Sequence, residues 1–335
     1  MENLVNSSPL ILVLVFLVIG FAFLMKGADF FLEGSSSIAK RLKVPPIIIG
    51  LTIVAMGTSL PETAVSVTAS LVNNNELAVS NVVGSNIFNL MVVVGVCSIL
   101  TPILVQKETI KRDIPFSMIC AFLLLGLGIL AVGDKSGMTL GHLDGMILLG
   151  FFAGYIVAMI QSAMKARAAG KNVEIEGIEE LEEEIGILSW PKSILFIVGG
   201  ALAIAFGGDL TVDAASRIAI DLGMSQTLVG LTIVSIGTSL PELVTSVVAA
   251  RKNEVDMAVG NAVGSNIFNI LMVLGIASAI NPVALIRENI IDIVILIVFS
   301  LIVWIYAATK RKISRKEGIS MVCLYLIYAG YIIWR

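Results

Sequence analysis

The chain alternates between long apolar runs and short polar connections. Ten runs are long enough to be membrane-spanning helices, since about 20 apolar residues cross a bilayer. These predicted spans, numbered 1 to 10, cover residues 9–33, 46–72, 77–101, 113–132, 142–164, 191–216, 225–250, 257–280, 288–309 and 318–334. One long polar stretch, residues 165–190, separates the first five spans from the last five. The pattern predicts an all-α polytopic membrane protein.

The two halves repeat one another. Residues 50–95 recur at 230–275 with a constant offset of 180, and 27 of the 46 aligned positions are identical. We therefore divide the chain into a first repeat (1–164), an acidic linker (165–190) and a second repeat (191–335). Because each repeat has an odd number of spans, the second should insert upside down relative to the first. The linker is interpreted as a solvated connection, with a cation-sensing strip as the alternative.

The distribution of basic residues supports this inversion. With the amino terminus outside, 17 of the 22 lysines and arginines fall in cytoplasmic loops, four fall outside, and Lys26 lies in span 1. Short cytoplasmic loops are enriched in lysine and arginine. The sequence therefore predicts a multi-pass cell-membrane protein with both termini extracellular and the linker cytoplasmic.

Composition narrows the class further. Only 14% of residues are charged and 57% are hydrophobic, whereas soluble domains carry about 25% charged residues. Cys97, Cys120 and Cys323 lie in apolar runs without disulfide or metal spacing. The chain contains no His–Glu metal motif and no plausible catalytic Ser or Asp pair, so we predict a protein that is not an enzyme. The lipid bilayer is the expected partner, with no nucleic acid and no obligatory protein partner.

The motif GTSLPE lies in the middle of spans 2 and 7, at residues 57–62 and 237–242. A proline inside a helix removes an N–H and clashes with the carbonyl four residues earlier, so each span should break there. A glutamate at membrane depth is costly and indicates function. Cation binding by Glu62 and Glu242 is the favoured interpretation, with Thr58, Ser59, Thr238 and Ser239 adding oxygens. A helix-capping box, Ser-x-x-Glu, is the structural alternative.

The motif GSNIFN follows in spans 3 and 8, at residues 84–89 and 264–269. Residues four apart share one helix face, so Ser85 lies beside Asn89, and Ser265 beside Asn269. These pairs are candidate neutral ligands, or hydrogen-bonding contacts between helices. The second interpretation is favoured for Asn86 and Asn266, and also for Asn81 and Asn261.

The donor set consists of oxygen atoms, which suit hard cations such as Ca²⁺. The only histidine, His142, lies in a predicted external loop. The two negative charges of the Glu62 and Glu242 carboxylates neutralise one Ca²⁺. Several Na⁺ ions bound together would carry more positive charge than that, which favours binding of Ca²⁺ and Na⁺ in turn. The other acids predicted within spans are either vestibule residues or helix-end acids paired with Lys26 or Arg217. They are Asp29, Glu33, Asp209 and Asp213.

At the GTSLPE and GSNIFN motifs, the sequence resembles the calcium/cation antiporter superfamily, and most closely the prokaryotic sodium/calcium exchangers. The resemblance covers nearly the whole chain. It implies two inverted five-helix repeats, with spans 2, 3, 7 and 8 forming the ion site and spans 1 and 6 forming a sliding gate. It also implies Na⁺ entry coupled to Ca²⁺ export, with Na⁺ and Ca²⁺ as transported ions and no cofactor.

Carried over by motif position, the resemblance implies a ligand set shared by both repeats. Backbone carbonyls near Ala55 and Ser235 would complete the coordination shell. The side-chain ligands would be Thr58, Ser59, Glu62, Ser85, Asn89, Thr238, Ser239, Glu242, Ser265 and Asn269.

One position departs from part of this superfamily. Potassium-dependent relatives have aspartate where this chain has Asn269, so we predict K⁺-independent exchange. A Ca²⁺/H⁺ antiporter is the alternative within the class, although proton-coupled relatives typically place a histidine near the site. A passive cation channel is a less favoured alternative, because inverted repeats with buried carboxylates are typical of alternating access.

Overall fold

The computed structural model describes residues 2–42, 44–71, 75–130, 138–168, 188–223 and 235–334. Nearly all of them are helical. The helices of the first repeat are Glu2–Asn6, Leu10–Leu42, Pro46–Ile49, Ala55–Thr58, Leu60–Leu71, Asn75–Phe88, Val94–Leu100, Ile114–Leu130 and His142–Ala168. Those of the second repeat are Trp190–Asp221, Ser235–Gly237, Leu240–Arg251, Val255–Phe268, Leu274–Ile280, Arg287–Lys310 and Arg315–Trp334. Wider π-helical turns occupy Gly50–Val54, Asn89–Val93, Thr109–Asp113 and Asn269–Val273.

The predicted spans correspond to these helices. Within the described residues, eight continuous helices are long and apolar enough to cross a membrane. A ninth crossing is the bent pair Pro46–Thr58 and Leu60–Val67, which forms span 2. Predicted span 7 lies partly outside the described residues and is seen from Ser235 onward. The all-helical fold class is confirmed.

Spans 1 and 6 are longer than the sequence predicted. Their helices end at Leu42 and Asp221, beyond the predicted ends at residues 33 and 216. Hydropathy falls after Gly34, but Ser35, Ser37 and Ile38 are buried, so packing continues the helix past the apolar run. The sequence predicted only approximate ends for these two spans, and the helices continue past them.

Spans 1 and 6 pack tightly against each other and run antiparallel. Glycines lie on the shared face, seven residues apart along each helix. A Cβ atom added to Gly27 would lie 3.0 Å from the Gly200 carbonyl oxygen, and one added to Gly207 would lie 2.7 Å from the Gly20 carbonyl oxygen. Small residues allow such close backbone contact between membrane helices. The two helices therefore form one closely fitted pair.

Spans 3 and 8 form the centre of the molecule. In each of them, 78% of the most apolar stretch is buried, compared with 22% in span 1 and 17% in span 10. Span 8 contacts span 2 closely, because a Cβ atom on Gly264 would lie 2.9 Å from the Leu51 Cα. The GSNIFN motifs thus occupy the most enclosed helices.

Two short antiparallel ladders connect the repeats. Strand β1 (Ile103–Leu104) pairs with β4 (Lys312–Ile313), and β2 (Thr139–Leu140) pairs with β3 (Val283–Ala284). The first ladder joins the connection between spans 3 and 4 to the connection between spans 9 and 10. The second joins the connection between spans 4 and 5 to the connection between spans 8 and 9. Inverted repeats place the two connections of each ladder on the same side of the membrane, so the ladders are consistent with the predicted inversion.

Candidate cation site

The GTSLPE motif breaks span 2 as predicted. The helix Ala55–Thr58 stops at Ser59, and Leu60–Leu71 begins at an angle of 49° to the preceding segment. Glu62 lies in the first turn of the new helix, and its side chain is fully buried. The second copy repeats this arrangement, with Leu240–Arg251 starting after Ser239 and Glu242 fully buried.

The two breaks contact each other across the repeats. Ser59 Oγ donates a hydrogen bond to Glu242 Oε1 at 2.9 Å, and Ser239 Oγ donates to Glu62 Oε1 at 3.4 Å. Ser265 Oγ also donates to Glu242 Oε1, at 3.3 Å. Ser239 makes no side-chain capping bond to its own helix. The capping-box alternative is therefore wrong for the second repeat, whose serine instead contacts the glutamate of the first.

Several buried oxygens at this junction have no hydrogen-bond partner. In the described part of the chain they include one carboxylate oxygen of each glutamate, one amide oxygen of each motif asparagine and one hydroxyl. These atoms are Glu62 Oε2, Glu242 Oε2, Asn89 Oδ1, Asn269 Oδ1 and Ser85 Oγ. Buried polar atoms are nearly always satisfied, and leaving one unpaired costs roughly 1–3 kcal/mol. A bound cation would satisfy this set of acceptors.

Four asparagines join spans 3 and 8. Asn86 Nδ2 and Asn266 Nδ2 each donate to the other residue's backbone carbonyl at 3.1 Å. Asn89 Nδ2 donates to Asn266 Oδ1 at 3.3 Å, and Asn269 Nδ2 donates to Asn86 Oδ1 at 3.1 Å. Asn86 and Asn266 thus have the structural role that the sequence favoured. Asn89 and Asn269 are held by their nitrogens, which leaves their oxygens for a ligand.

A π-helical turn begins at each of these two asparagines. It covers Asn89–Val93 in span 3 and Asn269–Val273 in span 8. Such turns are rare and frequently occur at functional sites, because the widened turn displaces backbone groups from their usual partners. The identical sequence positions of the two turns indicate that each repeat builds this distortion locally. Nothing in the hydrophobic pattern had indicated it.

The break threonines are positioned by asparagines of the opposite repeat. Thr58 Oγ1 donates to Asn261 Oδ1 at 3.0 Å, and Thr238 Oγ1 donates to Asn81 Oδ1 at 3.1 Å. Each asparagine in turn donates to a serine of its own repeat. These bonds run from Asn81 Nδ2 to Ser66 Oγ and from Asn261 Nδ2 to Ser246 Oγ.

Sequence reasoning missed Ser66 and Ser246. The sequence does contain a signal for them, because both repeats have serine at this aligned position. Ser66 and Ser246 follow Glu62 and Glu242 by four residues, so each asparagine–serine pair lies one helical turn beyond a glutamate, on the same helix face. Asn81 and Asn261 therefore have the structural role that was favoured for them, and they also hold the threonines.

The predicted backbone ligands lie just before the breaks. The Ala55 carbonyl accepts the Ser59 N–H at 3.0 Å, whereas the Ser239 N–H donates to the Ile236 carbonyl at 3.1 Å. Ser235 opens the described part of its span, and its backbone is helical. Thr58 Oγ1 also lies 3.3 Å from the Ala55 carbonyl oxygen, but its bond to Asn261 Oδ1 is shorter, at 3.0 Å. With the Thr58 hydrogen directed to Asn261, the second lone pair of the Ala55 carbonyl is available to a cation.

The site contains two carboxylates among neutral oxygens. Within the described residues, no three His, Cys, Asp or Glu side chains cluster as metal ligands. His142 is exposed, and its Nδ1 lies 2.9 Å from the Ala279 carbonyl oxygen. Hydroxyl, amide and carboxylate oxygens suit hard cations, whereas softer metals prefer thiolate or imidazole. The same oxygen donors suit Ca²⁺ and Na⁺, since both are hard cations.

Among the other predicted acids, Asp29 pairs with lysines. Asp29 lies inside the helix Leu10–Leu42, where its carboxylate is 3.8 Å from Lys26 and 2.9 Å from Lys252. The pairing with Lys26 was one of the two interpretations given above. Arg217 pairs with Asp221 at 3.0 Å, a contact the sequence analysis had not considered.

Comparison with known proteins identifies the family. The model of the sodium/calcium exchanger protein family matches residues 12–161 and 192–334. The chain is 37% identical to the putative antiporter CaxA of Alkalimonas amylolytica, over 94% of this chain and 96% of that protein. It is 33% identical to the sodium/calcium exchanger MaX1 of Methanosarcina acetivorans, over 93% and 96% of the two chains. A solved structure of the sodium-calcium exchanger NCX_Mj superposes with a TM-score of 0.80 and 30% identity, covering 96% of this chain and 99% of that one. The chain therefore belongs to the sodium/calcium exchanger protein family.

Proposed function

We propose that this chain exports Ca²⁺ across the cell membrane in exchange for Na⁺, by alternating access to the oxygen site between the two breaks. Membership of the sodium/calcium exchanger family supplies the activity, which is antiport rather than enzymatic catalysis. The apolar helices make the chain a multi-pass membrane protein. The direction of transport, the ligand residues and the orientation are our proposals.

One observation carries the proposal. Glu62 and Glu242 are fully buried, each is bonded to the break serine of the other repeat, and each keeps one unpartnered carboxylate oxygen. Two buried carboxylates without counter-charges are unfavourable in a membrane protein. A divalent cation between them would neutralise both charges. Several Na⁺ ions would exceed that charge, so the two kinds of ion would occupy the site in turn.

The proposed ligands come equally from the two repeats. Glu62 and Glu242 supply the charge, and a subset of the neutral groups completes a coordination shell of six to eight oxygens, the number that Ca²⁺ takes. The neutral side chains are Thr58, Ser59, Ser85, Asn89, Thr238, Ser239, Ser265 and Asn269, with backbone carbonyls of Ala55 and Ser235. In this scheme, the asparagine bonds between spans 3 and 8 keep the amide oxygens directed to the cation.

Spans 1 and 6 are proposed to move together as the gate. Their glycine contacts make them one unit, and the Phe31 ring of span 1 lies against Gly57 at the first break. Sliding of this pair over spans 2, 3, 7 and 8 would open the site to one side of the membrane and then to the other. We further propose that both termini are extracellular and that the linker is cytoplasmic.

Ca²⁺ uptake into proteoliposomes tests the proposal. Vesicles loaded with Na⁺ are diluted into Na⁺-free buffer containing Ca²⁺, and parallel vesicles carry K⁺ or a pH gradient instead. We expect uptake only with the outward Na⁺ gradient and no stimulation by K⁺, because Asn269 adds no third carboxylate. Uptake driven by the pH gradient alone would assign the chain to Ca²⁺/H⁺ antiport.

Neutralising either site glutamate tests the carboxylates. We expect Glu62→Gln and Glu242→Gln each to lower Na⁺-dependent Ca²⁺ uptake at least tenfold. Each variant leaves a single negative charge in the site, which cannot balance the two positive charges of Ca²⁺. Glu288→Gln is the matched control, because Glu288 is exposed at the start of the helix Arg287–Lys310. Normal uptake by either site variant, with folding verified by size-exclusion chromatography, would contradict the proposed site.

A further inference from the structure

The turn between spans 7 and 8 holds span 1 at two points. Lys252 Nζ lies 2.9 Å from Asp29 Oδ1, and Ser36 Oγ lies 2.7 Å from both carboxylate oxygens of Glu254. Asp29 and Ser36 are seven residues apart in one helix, about 10 Å along its axis. The turn itself is short, and Asn253 adopts a left-handed conformation at φ 61°. The contacts therefore fix both the position of span 1 and its rotation.

Under the proposed function, each contact joins the gate to the helices that carry the cation site. Asp29 and Ser36 lie on span 1, which is half of the proposed gate. Lys252 and Glu254 connect Leu240–Arg251, which carries Glu242, to Val255–Phe268, which carries Ser265. A slide of span 1 along the site helices must break both contacts.

The surroundings of the turn favour these contacts. Asp29 and Lys252 are each about one-third exposed, at 35% and 37%, so water only partly screens the pair. Burial raises the pKa of Glu254, while the Ser36 hydroxyl and the Lys252 and Lys40 charges lower it. The other charged side chains on this face of span 1 are Lys26, 3.8 Å from Asp29, Glu33, one turn from both Asp29 and Ser36, and Lys40, one turn beyond Ser36. In this arrangement both carboxylates have a donor: Asp29 has the Lys252 ammonium group, and Glu254 has the Ser36 hydroxyl.

The turn between spans 2 and 3, the symmetry-related counterpart, lacks the charges that make these contacts. The positions aligned with Lys252 and Glu254 are Val72 and Asn74, which carry no charge. The rest of the site is duplicated nearly residue for residue, so this difference is a departure from the internal symmetry. An exchanger with two equivalent halves would have two conformations of similar free energy, and an added contact on one side would favour one of them.

We propose that the Asp29–Lys252 ion pair and the Ser36–Glu254 hydrogen bond form a one-sided latch that stabilises the present position of the gate. The proposal rests on the proposed gating by spans 1 and 6. Each contact is worth up to about 1 kcal/mol, or about fivefold in the ratio of the two gate positions. Together they bias the conformational equilibrium, and therefore the apparent Ca²⁺ affinity measured from each side.

The test measures the gate position directly. Spin labels are attached to Ile11→Cys on span 1 and Leu104→Cys on strand β1, two exposed positions away from the latch, with Cys97, Cys120 and Cys323 replaced by alanine. The distance distribution is recorded by pulsed electron paramagnetic resonance in bilayers. We expect one dominant distance with the latch intact. Lys252→Met combined with Glu254→Gln should increase the population at a second distance by up to about 25-fold, the product of the two fivefold effects.

Two further variants keep this test specific. Arg251→Met removes an exposed charge from the adjacent position, which no described contact joins to span 1, and it should leave the distribution unchanged. The exchange Asp29→Lys with Lys252→Asp restores the pair with reversed charges and should recover the original distance. An unchanged distribution in the double variant, or an equal shift in Arg251→Met, would overturn the latch. Because the readout is a distance, loss of Na⁺/Ca²⁺ exchange would count against the proposed function without affecting this result.

Discussion

The break serines connect the two repeats at the level of single atoms. Ser59 donates to Glu242 at 2.9 Å, so Ser59→Ala would remove a bond that orients the carboxylate of the other repeat. We expect this variant to weaken the apparent Ca²⁺ affinity by about tenfold, since a hydrogen bond to a charged group is worth roughly 1.5–3 kcal/mol and the cation restores part of it. Ser239→Ala should have a smaller effect because its bond is 3.4 Å. Ca²⁺ uptake at fixed Na⁺ measures both.

Ser98→Ala provides the control for that series. Ser98 is equally buried, near the end of the helix Val94–Leu100, but its hydroxyl donates to the Val94 carbonyl of its own helix at 2.6 Å. Removing this hydroxyl should leave the Ca²⁺ affinity unchanged. Equal affinities for the Ser59 and Ser98 variants would exclude a role for Ser59 in orienting Glu242.

Asn269 determines how many charges the site carries. Its amide nitrogen donates to Asn86 Oδ1, and its oxygen has no partner among the described residues. Asn269→Asp would add a third carboxylate and place a charge against the Asn86 oxygen. We expect Ca²⁺ transport to become K⁺-stimulated, because an additional monovalent cation would balance the new charge. Uptake measured with and without K⁺ tests this, and indifference to K⁺ in the variant would contradict the charge-balance argument.

Sequence alone predicted the glutamates and the break serines as site residues, but not which of them contact each other. A glutamate behind a helix-breaking proline at membrane depth is unusual enough to indicate a site. The 180-residue offset also fixes which positions are equivalent. It does not fix which serine meets which glutamate, because the Ser59–Glu242 contact depends on how spans 2 and 7 cross. The π-helical turns at Asn89 and Asn269 were likewise missed, since the hydrophobic pattern carries no signal for them.

At the level of elements, the glycines of spans 1 and 6 offer a sharp comparison. A Cβ atom on Gly200 would lie 2.7 Å from the Phe31 backbone nitrogen, whereas one on Gly199 meets nothing within 4 Å. We expect Gly200→Leu to separate the two helices and lower the unfolding temperature, since overpacking costs about 1–3 kcal/mol. Gly199→Leu, one residue earlier in the same helix, should change neither stability nor exchange. Thermal unfolding in detergent and Ca²⁺ uptake measure the two effects.

The lengths of these elements show where hydropathy stops being informative. The helices of spans 1 and 6 continue through polar residues because one face remains packed after the apolar run has ended. Ser37, for example, is buried and accepts a hydrogen bond from the Leu188 backbone N–H. A window that averages all faces of a helix cannot detect one buried stripe among polar residues. The same packing places Ser36 beside Glu254, a contact that the predicted end of span 1 would have excluded.

At the level of the whole molecule, the inverted arrangement can be tested with one aligned pair of residues. Leu104 and Ala284 are equivalent positions, 180 residues apart, and both are exposed at the ends of strands β1 and β3. Strand β1 pairs with β4, and β3 pairs with β2, so each residue belongs to a different ladder. Inverted repeats require these ladders to lie on opposite sides of the membrane, whereas repeats with the same orientation would place Leu104 and Ala284 on one side.

Single cysteines at these two positions decide between the arrangements. In a background with Cys97, Cys120 and Cys323 replaced by alanine, a membrane-impermeant maleimide is applied to intact cells and to inside-out vesicles. We expect Ala284→Cys to react in intact cells and Leu104→Cys to react only in inside-out vesicles, because lysines and arginines concentrate on the Leu104 side. The reverse pattern would invert the proposed orientation but preserve the inverted repeats. Labelling of both residues from the same side would contradict the two-repeat inversion on which alternating access depends.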